Sequence, residues 1–323
     1  MKSKPQKTLS TKITFSGIGI HTGQWSTVTL CPAPVDHGIR FIGPKGFKPK
    51  IAHISNVVSD AIGFSTSLGI PEWVVWPPLS TISTYTAEPR TMPPIIEFMT
   101  IEHLMAAFYF AEITNCLVVV DGQEIPILDG SAWDILKLIY DQPHDGALYV
   151  PKIVTQMKNT NPIVIDKEYS ATGPSGEWVS LIPNDEFEAT ITIDFRERSP
   201  KLIGEQHYNF SPEHVNTTAY AQSQIACART FGFYSDMQKM HSIGKALGAG
   251  LENCIVIDEA TDTTMNKFDL YWKNEFVRHK LVDVLGDLML AGRPIIGRFV
   301  GFKPSHKLVH ELLRKIPDVT AGF

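Results

Sequence analysis

The chain has 323 residues, 43% of them apolar, 20% charged and 10% aromatic. That is the balance of an ordinary globular protein with room for two domains and real cores, and it excludes a disordered or fibrous chain. Twenty-nine Lys and Arg against 34 Asp and Glu leave a net charge of −5, which gives no general attraction to nucleic acid or anionic lipid, although a local basic patch stays open.

Four cysteines, Cys31, Cys116, Cys227 and Cys254, lie far apart with no C-x-x-C pair, so neither a disulfide framework nor a cysteine zinc site is indicated and a reducing compartment is expected. The first twelve residues are polar and basic without the apolar run of a signal peptide, and no stretch of about 18 apolar residues occurs anywhere. The expectation is a cytoplasmic protein with no membrane span.

Lys12–Phe15 and Ser26–Leu30 alternate like strands around Gly17–Gly23 (GIGIHTG), a glycine-punctuated turn that predicts an opening β-hairpin. After Thr100, a predicted N-cap, Ile101, Leu104, Met105 and Phe108 recur at the spacing of an amphipathic helix over Ile101–Glu112. Leu117–Val120 reads as a short buried strand. Asp129-Gly130-Ser131 opens a second helical pattern carried by Trp133, Ile135, Leu136 and Ile139. The turn-rich run Asp141–Ala147 is the predicted boundary between an N-terminal domain, 1–145, and a C-terminal domain, 146–323. Beyond it come predicted strands near Ile153–Val154, Val179–Ile182, Ala189–Phe195 and Cys254–Ile257, and helices over Tyr220–Arg229 and from about Glu275 and His306. Strands and helices mixed without β-α-β alternation predict an α+β fold rather than a doubly wound sheet, and no dinucleotide or P-loop fingerprint follows a strand.

The segment richest in chemistry is Phe276–Gly292. Its apolar residues form one helical stripe, while His279, Asp283 and Asp287 fall four apart on a second face; Gly292 and Pro294 supply the stop. A His and an Asp one turn apart can present two ligands to one metal. On spacing alone the same residues could be a capped histidine above a solvated acidic face. Glu102-His103 resembles the pair in zinc hydrolases where a His holds the metal and a Glu takes the proton of water. The helix dipole would also favour Glu102 with no such role. Together His103, His279 and Asp283 offer two imidazoles and a carboxylate, with a fourth position open. His306 follows a Gly-Pro-rich turn and can begin the last helix, with Asp287 to orient it. His37, His53, His144, His207, His214, His241 and His310 read as surface residues.

Gly17–Gly23, Thr100–Ala107 (TIEHLMAA), Glu124–Ser131 (EIPILDGS), Ala228–Phe233 (ARTFGF), Arg278–Leu288 (RHKLVDVLGDL) and Phe302–His306 resemble, in order, the sequence blocks of the UDP-3-O-acyl-N-acetylglucosamine deacetylase family. The resemblance runs from about Leu9 to Leu313. It implies two α+β domains, each a mostly antiparallel sheet layered with helices, packed so that the helices lie between the sheets. It also implies a zinc-dependent hydrolase that removes the N-acetyl group from an acylated UDP-amino sugar in lipid A biosynthesis, working near the membrane because that substrate carries a fatty chain; a monomer is the default expectation. Carried onto this chain, the Zn2+ ligands are His103, His279 and Asp283, and Glu102 is the general base. His306, supported by Asp287, is the general acid, and Thr230 bonds the oxyanion. Phe195 stacks on uracil, Lys280 lies beside the nucleotide sugar, and Phe231 and Lys303 complete the substrate set. An insert within Tyr234–Ile257 would build an acyl channel.

Some positions depart from the family pattern. Pro304-Ser305 stands where Ser-Gly is usual, so the acid could shift. Gly248-Ala249-Gly250, Met99 and Ala61–Ser65 also differ. The stretch between Asp60 and Thr100 is long and loop-like, with Trp73, Trp76 and Pro71, Pro77, Pro78, Pro89, Pro93 and Pro94, either a surface elaboration or a lid. These departures leave room for a zinc amidase acting on another acylated amino sugar, or for a silent relative that binds a nucleotide sugar.

Overall fold

The computed structural model describes residues 3–43, 48–58, 65–70, 73–75, 90–92, 95–140, 152–211 and 224–320. A five-stranded sheet runs in the order Ile13–Ile18, Trp25–Pro32, Cys116–Val120, Ile39–Ile42, Lys50–Ile51. It is antiparallel except where Cys116–Val120 pairs parallel with Ile39–Ile42. The period-two pattern read around the opening turn is what builds it: Ser26, Val28 and Leu30 point into the core and their neighbours outward.

The second large sheet runs Tyr169–Thr172, Trp178–Ile182, Ile295–Phe302, Phe187–Asp194, Glu205–Phe210, with Ile163–Val164 added beside Ile295–Phe302. It holds two parallel pairs, Phe187–Asp194 and Ile163–Val164, each with Ile295–Phe302. Four helices, α1 (Glu102–Ala111), α2 (Trp133–Tyr140), α4 (Glu275–Leu288) and α5 (His306–Arg314), contribute to the core; α1 packs on α2 and α4, and α4 and α5 pack on the second large sheet; α3 (Tyr234–Ser242) belongs to the insert. One apolar core runs from Leu30 and Phe41 through Leu104 and Phe108 of α1 and Phe276 and Leu285 of α4 to Val179, Ile191 and Phe299 of the second sheet. The α+β class with mostly antiparallel sheets is as expected.

The contact of α1 with α4 sets the site. A side chain at Gly286 would place its Cβ 2.1 Å from the Glu102 carbonyl oxygen, so only glycine lets the two backbones approach this closely. α1 differs from the amphipathic expectation, because every residue but Tyr109 is buried. Its polar pair Glu102-His103 is therefore enclosed and needs polar partners. Thr100 is not the N-cap. It sits at φ 56° with its hydroxyl donating to the buried Glu124 Oε1 at 2.8 Å, and Ile101 occupies the cap position without a side-chain bond. The stop of α4 is as read: a 3-10 turn, Met289–Ala291, then Gly292 at φ 72°.

Lys4–Leu9 pairs antiparallel with Ile153–Thr160, Leu9 opposite Ile153, so the first strand is tied to the residues just beyond the expected domain boundary. The boundary run 141–147 itself lies outside the described residues. So does the first part of the helix expected over Tyr220–Arg229; residues 224–226 are helical, and the chain leaves the helix before Thr230, whose N–H donates to the Gly130 carbonyl at 2.7 Å. The described parts of the long stretch before Thr100 are strands rather than loop. Ser67–Ile70 pairs with Val57–Val58 and Ile95–Phe98, and Trp73–Val75 with Arg90–Met92. The six prolines and Trp76 of that stretch lie outside the described residues, as do Asp60 and most of Ala61–Ser65.

The insert forms a three-stranded sheet in the order Phe231–Phe233, Ile255–Asp258, Thr263–Thr264, with α3 on it. Arg198 braces it to the second sheet. Its guanidinium donates to Asp236 at 2.6 Å and Glu259 at 2.9 Å and lies 3.8 Å over the Phe233 ring, a combination of charge-assisted bonds and cation–π contact.

Candidate metal centre and active site

α1 contributes Glu102 and His103, and α4 contributes His279, Asp283 and Asp287. Donor atoms of His103, His279 and Asp283 all lie within 4.8 Å of one another, and all three residues are buried. His279 Nε2 is 3.3 Å and His103 Nε2 3.5 Å from Asp283 Oδ1. The two imidazoles meet edge to face, 5.0 Å between centroids.

The donor set fits a cation. His279 Nδ1 faces the Ala228 carbonyl at 3.0 Å; a carbonyl only accepts, so Nδ1 carries the hydrogen. Burial, assisted by His103 and Lys280, outweighs Asp283 and lowers the His279 pKa to about 3, so the ring is neutral and Nε2 offers a lone pair. For Asp283, burial opposes the charge, but His279, Lys280 and His103 hold the carboxyl well below the usual range. A lone pair and a carboxylate oxygen thus face each other in a buried site with no proton between them, an arrangement that a shared cation stabilises. The Ala228 carbonyl is the kind of outer partner that fixes a ligating histidine's tautomer.

Glu102 Oε2 accepts from the Thr66 N–H at 2.9 Å, which leaves Oε1 facing His306 Nε2 at 3.9 Å. Burial raises the Glu102 pKa to about 7; His306 and His103 pull it down and Asp283 and Asp287 push it up. His306 is the first residue of α5, set there by Ser305, whose side chain accepts from the Leu308 N–H. Its Nδ1 is 2.7 Å from Asp287 Oδ2. Burial would lower the His306 pKa, but the charge and hydrogen bond of Asp287, with Glu102 and Asp283 beyond, raise it to about 10. Asp287, against the effect of burial, is held well below the usual carboxylate range by His306 and His310. The Pro304-Ser305 change leaves the His306–Asp287 contact formed.

Glu102, His103, Asp283 and His306 open into a cavity of ≈ 280 Å3 whose walls include Thr230, Phe195, Phe231 and Lys280. Thr230 is held by Gly130 and by the buried ion pair of its neighbour Arg229, whose Nε donates to Glu275 Oε1 at 2.8 Å. Phe195 lies 5.7 Å from the Phe231 ring. Lys280 Nζ donates to Asp283 Oδ2 at 2.9 Å and lies 5.5 Å from the Phe231 centroid. Lys303 does not line this cavity; its Nζ is 3.9 Å from Asp194 Oδ2. The insert adds Met237, Met240, Ala246, Ala249 and Cys254 to the wall.

Several further residues complete the site although none of them is a candidate site residue by sequence. Glu124 accepts on Oε1 from the His21 N–H and the Thr100 hydroxyl, and on Oε2 from the N–H and hydroxyl of Thr22, all within 2.9 Å. It pins the Gly17–Gly23 turn against the start of α1. A Cβ on Gly19 would lie 2.2 Å from Oε2, which accounts for that glycine. Thr66 touches Glu102, Asp287 and His306. Two of the histidines assigned to the surface are buried: His310 faces Asp287, and His53 Nε2 faces the Val319 carbonyl at 3.0 Å. His144 and His214 lie outside the described residues.

The family model described as LpxC, UDP-3-O-acyl N-acetylglycosamine deacetylase, matches residues 6–318. Among similar proteins, the UDP-3-O-acyl-N-acetylglucosamine deacetylase of Chromobacterium violaceum is 34% identical over 321 residues, covering 98% of this chain and 92% of the relative. Those of Myxococcus xanthus and Helicobacter hepaticus are each 33% identical, covering 96% of this chain and 86% and 89% of the relatives.

Proposed function

The chain belongs to the UDP-3-O-acyl N-acetylglycosamine deacetylase family, and from that premise we propose how its own residues divide the work. The reaction is hydrolysis of the N-acetyl amide of UDP-3-O-acyl-N-acetylglucosamine in lipid A biosynthesis, and the chain is a deacetylase. The observation that carries the assignment of roles is the meeting of α1 and α4, which places Glu102 beside a two-histidine, one-carboxylate donor set.

His103, His279 and Asp283 would hold zinc, the metal that suits two imidazoles and one carboxylate with a position left open. When bound there, zinc would polarise the amide carbonyl and make water acidic enough to attack near neutral pH. Glu102 takes the proton of the attacking water on Oε1, the oxygen that Thr66 leaves free. His306 delivers a proton from Nε2 to the departing amine, which leaves poorly as an anion. Asp287 keeps that imidazole charged. Thr230, fixed by Gly130 and Arg229, faces the developing oxyanion. Phe195 and Phe231 offer faces for uracil and sugar, with Lys280 beside the nucleotide sugar and Lys303 at a more distant place in the substrate set. The Met237, Met240 and Ala249 wall would receive the acyl chain. An N-terminal domain over 1–145 and a C-terminal domain over 146–323, a monomer, and a cytoplasmic location belong to the same reading; no helix among the described residues is long and apolar enough to cross a membrane.

The acid assignment is tested by pH dependence. His306 works in its protonated form, and its pKa stands above 6.5, at about 10, chiefly because of Asp287. A cation at the triad repels the imidazolium and brings the value down from there, so the expected result is a displacement between two proteins. kcat of the wild type should fall on the alkaline side as His306 loses its proton, and in Asp287→Asn that fall should begin at lower pH. An alkaline limb at the same pH in both proteins would contradict the assignment.

A further inference from the structure

Asp287 makes more contacts than orientation of one histidine requires. Its Oδ2 takes the His306 contact, while Oδ1 accepts from the Thr66 hydroxyl at 2.5 Å and faces His310 Nε2 at 3.3 Å. Thr66 Oγ1 is also 3.2 Å from His310 Nε2 and 3.2 Å from His306 Nδ1, so it lies against the acid as well as against its carboxylate partner. The hydroxyl has one hydrogen, spent on Asp287, so the His310 N–H is shared between the threonine oxygen and the carboxylate. Thr66 and His310 are both buried. His310 lies one turn after His306 on the inner side of α5, among Val309, Leu312 and Leu313, where an apolar side chain would pack without needing a partner.

We propose that Thr66 and His310 are positioning residues for the acid: they hold Oδ1 of Asp287 so that Oδ2 is aimed at Nδ1 of His306, and Nε2 of His306 is thereby turned toward Glu102 and the cavity. The inference rests on the reading of His306 as acid. Thr66 has a double place in it. Its backbone N–H fixes Oε2 of Glu102 while its hydroxyl fixes Asp287, so one residue sets the relative position of the base and the acid. His310 completes the set of donors that a buried carboxylate demands, so the carboxylate has no reason to rotate away from His306.

The test compares Thr66→Val, which keeps the volume and the backbone N–H, and His310→Leu with the conservative Thr66→Ser and His310→Gln. Removal of either donor should lower kcat roughly 10- to 100-fold with KM changed less than about twofold, the range seen when an outer partner that orients a histidine is lost. Thr66→Ser and His310→Gln should recover most of the loss. In proton NMR, the deshielded His306 Nδ1–H resonance should move or broaden in the two disruptive variants and return in the conservative ones, a signature that a purely structural role would not change. Wild-type kcat and an unmoved resonance in Thr66→Val and His310→Leu, even with a lower melting temperature, would overturn the inference. His306→Gln is measured alongside. If it turns over normally the acid reading itself fails, and if it is inactive while the other variants are normal only the role of Thr66 and His310 fails.

Discussion

Replacing His279 with alanine is expected to abolish stoichiometric zinc binding and to lower turnover by roughly three orders of magnitude or more, since generating a nucleophile from water at neutral pH depends on the ion. The geometry makes His279 the least replaceable of the three donors. Its tautomer is fixed by Ala228, its neutral form is enforced by burial, and its Nε2 lies 3.3 Å from Asp283. Alanine also leaves a hole beside Phe231, whose ring centroid is 6.3 Å away, so some loss of melting temperature is expected as well. His279→Gln separates the two effects, because it fills more of the space without restoring an imidazole nitrogen. Zinc content after dialysis and acetate release are the readouts. A variant that retains one zinc and wild-type turnover would remove His279 from the ligand set.

Glu102→Gln is the second large effect, and its signature differs. Glutamine keeps the size of the side chain, and its carbonyl oxygen can still accept the Thr66 N–H, so the helix contact at Gly286 and the zinc should both be preserved. It cannot take a proton from water. kcat should fall about 10²- to 10⁴-fold, the span of general-base contributions, while KM stays close to the wild-type value. A buried carboxylate is also replaced by a neutral group that needs less solvation, so the melting temperature should hold or rise. Loss of zinc together with activity would instead place Glu102 among the ligands, and unchanged kcat would assign the base elsewhere.

The pairing of His279 with Asp283 on one helix was legible because it is local. His279 and Asp283 are one helical turn apart, and a 3.6-residue period makes them neighbours whatever the rest of the fold does. Glu102-His103 was legible for the same reason, although the pattern alone could not say that α1 is enclosed on every side. What was not legible depends on topology. Thr66 reaches Glu102 from 36 residues earlier in the chain and Asp287 from 221 residues away, and the adjoining run Ala61–Ser65, although it departs from the family pattern, says nothing of either contact. Glu124 stood inside a recognised block, yet its four hydrogen bonds to the Gly17–Gly23 turn and Thr100 appear only when the strands are assembled. The same carboxylate takes the Thr100 hydroxyl, which therefore caps no helix N–H. His310 did carry a local signal. It lies four residues after His306 and therefore on the same face of α5, which is grounds for burial rather than exposure.

The most direct test of the whole account is acetate release from UDP-3-O-acyl-N-acetylglucosamine by the purified protein, first stripped of metal and then reconstituted with one equivalent of zinc. The account predicts no turnover in the stripped protein, turnover that rises with zinc to one equivalent, and no such rise in His279→Ala. Turnover by the stripped protein, or a folded protein that takes up one zinc and releases no acetate, would contradict it.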